Sequence, residues 1–159
     1  MSVPQAGSKA PDFNLPSSNG KNIALKDLKG KNVVVYFYPK DDTPGCTTEA
    51  CSFRDSRTDI EALAALLGIS ADTVKSHKKF SEKHNLNFTL LSDPNHEVIE
   101  AYGSWKPRKF MGKEYMGTMR NTFLINPDGY IAKEYIGVDP KDHAEQILND
   151  LKFLQSESQ

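Results

Sequence analysis

The chain predicts an α/β fold, a central mixed β-sheet flanked by helices, and three observations carry that expectation. The run Val33-Val-Val-Tyr-Phe-Tyr38 is apolar, β-branched and aromatic, bounded by turn residues, which is the pattern of a buried strand. Strand-like and helix-like stretches alternate along the sequence without repeats. Near the C-terminus, Ala144, Ile147, Leu148, Leu151 and Leu154 recur at helical spacing, so one face of a helix packs on a core.

The elements follow in order. Asp12 to Leu25 reads as an N-terminal β-hairpin around Ser18-Asn-Gly20. After the strand that ends at Tyr38, the residues Pro39 to Asp42 read as loop, and a helix runs from Thr43 to about Ile60. Leu63 to Ile69 has a helix-forming composition, but the alternation asks for a strand there, ending near Gly68. Ser70 suits the cap of a helix through Lys83, followed by a strand from Phe88 to Leu91 and a brief helix within Asn95 to Tyr102. The Gly-punctuated segment from Gly103 to Gly117 holds the basic cluster Lys106-Pro-Arg-Lys109 and reads as a solvated loop; its alternative use is to wall a pocket with its aromatic and Met residues. Thr122 to Ile125, the turn Pro127-Asp-Gly129 and Tyr130 to Ile136 form a hairpin, and Asp139-Pro140 opens the last helix. Ser156 to Gln159 reads as a frayed tail.

A length of 159 residues fits one domain over 1–159, with a core from about residue 7 to 154. Lys and Arg total 20 against 21 Asp and Glu, so no net field favours nucleic acid or a membrane surface. No apolar run is long enough for a membrane span, and the start Met-Ser-Val-Pro-Gln-Ala lacks a secretory pattern. Two cysteines suited to reversible redox chemistry fit a reducing cytoplasm.

Those cysteines are the informative feature. In Pro39-Lys-Asp-Asp-Thr-Pro-Gly-Cys46-Thr-Thr-Glu-Ala-Cys51, Thr43 suits an N-cap and Pro44 the first helical position, which makes Cys46 the third helical residue. Free backbone N–H groups and the positive end of the helix dipole favour an anion at that place, and thiols at helix N-termini ionise more readily. The Thr43 hydroxyl is in reach of the sulfur or of the Cys46 amide. Five residues of regular helix separate the two Cα atoms by about 8–9 Å, whereas a disulfide needs roughly 7 Å or less. A bond between them therefore requires local unwinding, which suits a bond made and broken in a cycle.

Metal binding is the rival use of paired thiols. No compact Cys/His cluster completes four ligands, and His77, His84, His96 and His143 lie on polar segments that read as surface. No metal and no cofactor are expected. Among cationic partners for Cys46, Arg54 and Arg57 lie two to three turns along its own helix, and Arg120 begins the apolar run before Ile125; the residues alone leave the choice even. Glu49 reads as a helix-surface acid, with orientation of the arginine as the alternative.

At these residues the sequence resembles the peroxiredoxins, and specifically the bacterioferritin comigratory protein (PrxQ) group. Pro39, Thr43 and Cys46 meet a Pro-x-x-x-Thr-x-x-Cys pattern, Cys46 and Cys51 the Cys-x-x-x-x-Cys variant. Gly7-Ser-Lys-Ala-Pro-Asp-Phe13, Leu91-Ser-Asp-Pro94 and Arg120-Asn-Thr-Phe-Leu-Ile125 agree with it, so the likeness spans Gly7 to Leu154. The resemblance implies a thioredoxin-like fold and a thiol-dependent peroxidase acting on hydrogen peroxide and organic hydroperoxides. It makes Cys46 the peroxidatic cysteine, Thr43 and Arg120 its activating partners, Pro39 the shield of the pocket and Cys51 the resolving cysteine. It implies thioredoxin or a similar dithiol protein as reductant, and a monomer is expected. The competing readings are a protein disulfide reductase and a redox sensor using the same cysteine pair.

Overall fold

The computed structural model describes residues 3–157. Strands β1 (Asn14–Pro16) and β2 (Asn22–Ala24) form the expected antiparallel hairpin, followed by a 3-10 turn at Leu25–Leu28. The remaining elements are β3 (Asn32–Phe37), α1 (Pro44–Glu61), β4 (Ala64–Ser70), α2 (Val74–His84), β5 (Thr89–Ser92) and α3 (Glu97–Ala101). They continue with β6 (Trp105–Phe110), β7 (Lys113–Thr118), β8 (Thr122–Ile125), β9 (Ile131–Tyr135) and α4 (His143–Glu157). The central sheet has the order β5-β4-β3-β8-β9; β3 pairs in parallel with β4 and antiparallel with β8.

β3 is buried on both faces, which is why its sequence is continuously apolar rather than alternating. Val34, Tyr36 and Tyr38 join a core with Cys46, Ala50, Phe53 and Ile60 of α1, Phe80 of α2 and Ala144, Ile147 and Leu151 of α4. Val33, Val35 and Phe37 join the opposite core with Phe13, Leu15, Leu25, Ile99 and Tyr102. α1 is thus pressed onto the middle strand by one face, and Cys46 lies on that face.

Four expectations need correction. α2 is capped by Thr73, whose hydroxyl accepts the Ser76 amide at 3.1 Å, while Ser70 stays in β4 and donates to Asp72. The basic segment is not a loop but the ribbon β6–β7, turned by Met111 and Gly112, both at positive φ. Pro107 masked that signal in the sequence; a two-stranded ribbon has a free edge that tolerates it. Met111, Tyr115 and Met116 of this ribbon are exposed. α4 begins at His143, because Asp139 first accepts the Lys141 amide in a turn. Ser156 and Glu157 close α4 rather than fraying, and the rest of the tail, like Met1 and Ser2, lies outside the described residues.

Gly68 is fixed by packing. A Cβ there would stand 2.8 Å from the Tyr36 ring and 2.9 Å from Leu90 Cδ2, both in the core. Tyr36 cannot yield, because its ring is stacked on Phe53 at 4.6 Å. Gly68→Ala is expected to cost about 1–3 kcal/mol by overpacking, read as a lower urea midpoint at unchanged m-value.

Candidate active site

Cys46 is the third residue of α1, after Pro44 and Gly45. Thr43 occupies the N-cap position with extended backbone, and its carbonyl accepts the Thr47 amide at 2.8 Å. Its hydroxyl does not cap and does not reach the sulfur: it donates to the Lys40 carbonyl at 2.8 Å and so braces the loop. Pro39 is half-buried in that loop, between Tyr38 and Lys40. The sulfur of Cys46 is almost fully covered, at 2% residue exposure, whereas Cys51 is half-buried; both are free thiols. α1 is unbroken from one to the other, so a bond between them still requires unwinding.

The structure brings Arg120 to Cys46 and leaves Arg54 and Arg57 away from it. Arg120 Nη1 and Nη2 lie 3.6 and 3.5 Å from Cys46 Sγ, a forked approach by one guanidinium. Its backbone is fixed from two directions. The Arg120 carbonyl accepts the Val138 amide at 2.9 Å, and the neighbouring Asn121 carbonyl accepts the Phe37 amide at 2.8 Å. The Asn121 side chain also takes the Gly137 amide and donates to Ser104. Because β8 lies beside β3, the start of β8 and the start of α1 share one end of the sheet. Arg54 instead donates to the His84 carbonyl and Asp55, and Arg57 pairs with Glu61.

Glu49 is a correction to the surface reading. It is buried, and its Oε1 accepts from Arg120 Nη1 at 2.9 Å. The signal was present in the spacing: Glu49 is three residues beyond Cys46, on the helix face that also buries Ala50 and Phe53. Burial pushes the Glu49 carboxyl up to about 7, against the charge and hydrogen bond of Arg120, which pull it down. Its second oxygen has no partner among the described residues. Burial works against the Arg120 cation, but the negative charges of Cys46 and Glu49 outweigh it and raise Arg120 further. Gly45 leaves the space the guanidinium occupies, since a Cβ there would meet Arg120 Nη2 at 3.0 Å.

The surface reading of the histidines also needs correction at two positions. His77 and His143 are buried, the first against Asp41 and the second between Thr122 and Gln146. Among the described residues, no three His, Cys, Asp or Glu side chains gather to hold an ion.

A covered thiol at a helix N-terminus, held by a fixed guanidinium that a buried acid orients, can stabilise a thiolate and an oxyanion leaving from it. The AhpC/TSA family model matches residues 6–134. The chain belongs to the AhpC/TSA family. Within it, the chain is 51% identical over 151 residues to Peroxiredoxin Bcp of Bacillus subtilis, covering 94% of this chain and 96% of that one. It is 44% identical to Peroxiredoxin Bcp of Escherichia coli K12, covering 96% of this chain and 98% of that one. Two solved structures agree in fold. Xylella fastidiosa PrxQ matches with a TM-score of 0.91 at 33% identity, over 98% of this chain and 99% of that one. The Xanthomonas campestris bacterioferritin comigratory protein, described for its alkyl peroxide reduction, matches with 0.86 at 36%, over 92% and 97%. This peroxiredoxin therefore has the thioredoxin-like fold. No helix among the described residues is long and apolar enough to cross a membrane.

Glu49 gives this peroxiredoxin a measurable pH signature. Its folded pKa of about 7 lies above the ordinary 4.5, so the native state binds the proton more tightly than the unfolded state. The stabilisation is fully present below about pH 4.5 and is lost as pH rises through about 7. Glu49→Gln is expected to flatten the fall in unfolding free energy over that window, by at most about 1.4 kcal/mol per pH unit. Urea titrations of both proteins at several pH values check this.

Proposed function

We propose that Cys46 is the peroxidatic cysteine of a thiol-dependent peroxidase and Cys51 its resolving partner. The observation that carries this reading is the Arg120 fork on Cys46 Sγ, 3.6 and 3.5 Å away, at the third residue of α1. The Cys46 thiolate attacks one peroxide oxygen and the O–O bond breaks. The departing oxygen leaves as water or an alcohol after taking a proton, and Cys46 becomes a sulfenic acid. Negative charge grows on the departing oxygen, and Arg120 is placed to meet it without rearrangement because its guanidinium keeps its charge and offers paired donors. Thr43 serves by bracing the loop through Lys40, and Pro39 by covering the pocket on the same loop.

In the second half of the cycle the Cys51 sulfur attacks the sulfenic sulfur, an S–S bond forms and water leaves. Two electrons from a dithiol protein then restore both thiols; thioredoxin or a similar reductant fits this role. Both thiols belong to one chain and one helix, so no second subunit is needed, which supports action as a monomer. Hydrogen peroxide and alkyl hydroperoxides are the substrates, the latter supported by the activity described for the Xanthomonas campestris relative. Reversible thiol chemistry of this kind suits the cytoplasm. Protein disulfide reduction is disfavoured by the near-complete burial of Cys46, since a bulky disulfide cannot approach that sulfur.

Cys46→Ser is expected to abolish peroxide consumption, at least a thousandfold, in a coupled assay with thioredoxin; activity within tenfold of the parent overturns the assignment. Cys51→Ser is expected to consume one equivalent of hydrogen peroxide and stop as the sulfenic acid. Intact-mass measurement after one equivalent checks this, and the parent should instead lose 2 Da in a Cys46–Cys51 link, roughly two hydrogens.

A further inference from the structure

The loop from β3 into α1 is anchored by two consecutive acids, and both reach α2. Asp42, at φ 59, takes Lys83 Nζ at 2.7 Å and His84 Nε2 at 3.0 Å on the exposed side. Asp41 points inward. Its Oδ1 accepts from the Tyr38 hydroxyl at 2.6 Å, and its Oδ2 accepts from the Ser76 hydroxyl at 2.8 Å and meets His77 Nδ1 at 2.7 Å. The Asp41 amide donates to Asp72 Oδ2 at 2.8 Å, so both its backbone and its side chain are held.

His77 is the centre of this arrangement and is 0% exposed. Its Nε2 faces the Leu91 carbonyl at 2.9 Å, an acceptor only, so Nε2 carries hydrogen. Its Nδ1 faces a carboxyl oxygen that also receives the Ser76 hydroxyl, so one hydrogen is held between Nδ1 and Asp41. Donor counting thus leaves each polar atom of the His77–Asp41 pair with a partner, and the two are buried together. Tyr38 remains a donor to the same carboxylate, because burial and then the Asp41 charge push its phenol well up. None of the hydrogen bonds of Asp41 or His77 goes to Cys46, and the chemistry proposed for Cys46 does not use either group.

We propose that His77 is a positioning residue for the reaction at Cys46. By holding Asp41 it fixes the Pro39–Thr43 loop against the first turn of α1, and its release accompanies the unwinding that brings Cys46 to Cys51. Two demands conflict in this chain. Attack on a peroxide needs the loop and first turn intact, and the disulfide needs them opened, since a regular helix holds the thiols too far apart. A contact made only in the closed state favours the first demand and slows the second. A buried hydrogen-bonded pair suits this better than apolar packing: on opening, water takes over the contacts of both partners at once, whereas deleting one partner strands the other in the core.

The inference rests on the assignment of Cys46 and Cys51, so the unaltered chain is measured first; failure to react with hydrogen peroxide would refute that assignment and not this one. His77→Asn keeps an amide donor for Asp41 without the ring, and Asp41→Asn keeps the side-chain shape without the carboxyl. Each is mixed rapidly with hydrogen peroxide, quenched by alkylation, and followed by mass for sulfenic acid and disulfide separately. The expected result is Cys46 oxidation slowed at least tenfold while the following disulfide step quickens several-fold. Equal loss in both steps, no change in either, or failure of both variants to fold by near-ultraviolet circular dichroism overturns the proposal.

Discussion

The guanidinium of Arg120 is the charge on which the geometry of the site depends. It stands between the Cys46 sulfur and the Glu49 carboxylate, at hydrogen-bonding distance from both, and it is largely covered. A cation in such a place costs desolvation, and the sulfur and carboxyl group facing it offset that cost. Much of the surrounding structure serves to fix it. Antiparallel pairing of β3 with β8 brings position 120 to the end of β3, Asn121 ties the backbone to residues 104 and 137, and Gly45 leaves the volume the guanidinium fills.

α1 is held differently along its length. Its middle is anchored by Phe53, stacked on Tyr36 and packed edge-on to His143 of α4. Its beginning hangs from a loop whose restraints are polar: Thr43 to Lys40, Asp41 to Ser76 and His77, Asp42 to Lys83 and His84. Apolar packing resists opening in proportion to the area exposed, whereas polar contacts can be replaced by water. The loop that leads into the first turn of α1 is therefore secured by exchangeable contacts, while Cys46, Ala50 and Phe53 of the helix itself are packed in the core.

The central strand and the cysteine helix were legible because their patterns are local. Val33 to Tyr38 is apolar without break, and Thr43-Pro-Gly-Cys46 reads as a helix start whatever surrounds it. The position of Cys46 in that first turn followed from the same residues. Glu49, His77 and His143 read as surface in the sequence because burial of a polar side chain depends on partners distant along the chain, respectively Arg120, Asp41 and Thr122. The Thr43 hydroxyl was misplaced for the opposite reason. Two local partners compete for it, and the Lys40 carbonyl wins over the helix amide. The ribbon β6–β7 escaped notice because Pro107 and a Met at a left-handed turn position both argue against strands.

The sequence separation within the site has a bearing on biosynthesis. Cys46 and Arg120 are 74 residues apart, so they meet only after a long loop has closed and β8 has inserted beside β3. While the N-terminal part emerges from the ribosome, both cysteines are already present but the guanidinium is not yet made. A nascent chain therefore carries both thiols before the guanidinium that meets Cys46 exists, and the pairing is made only on completion of the fold.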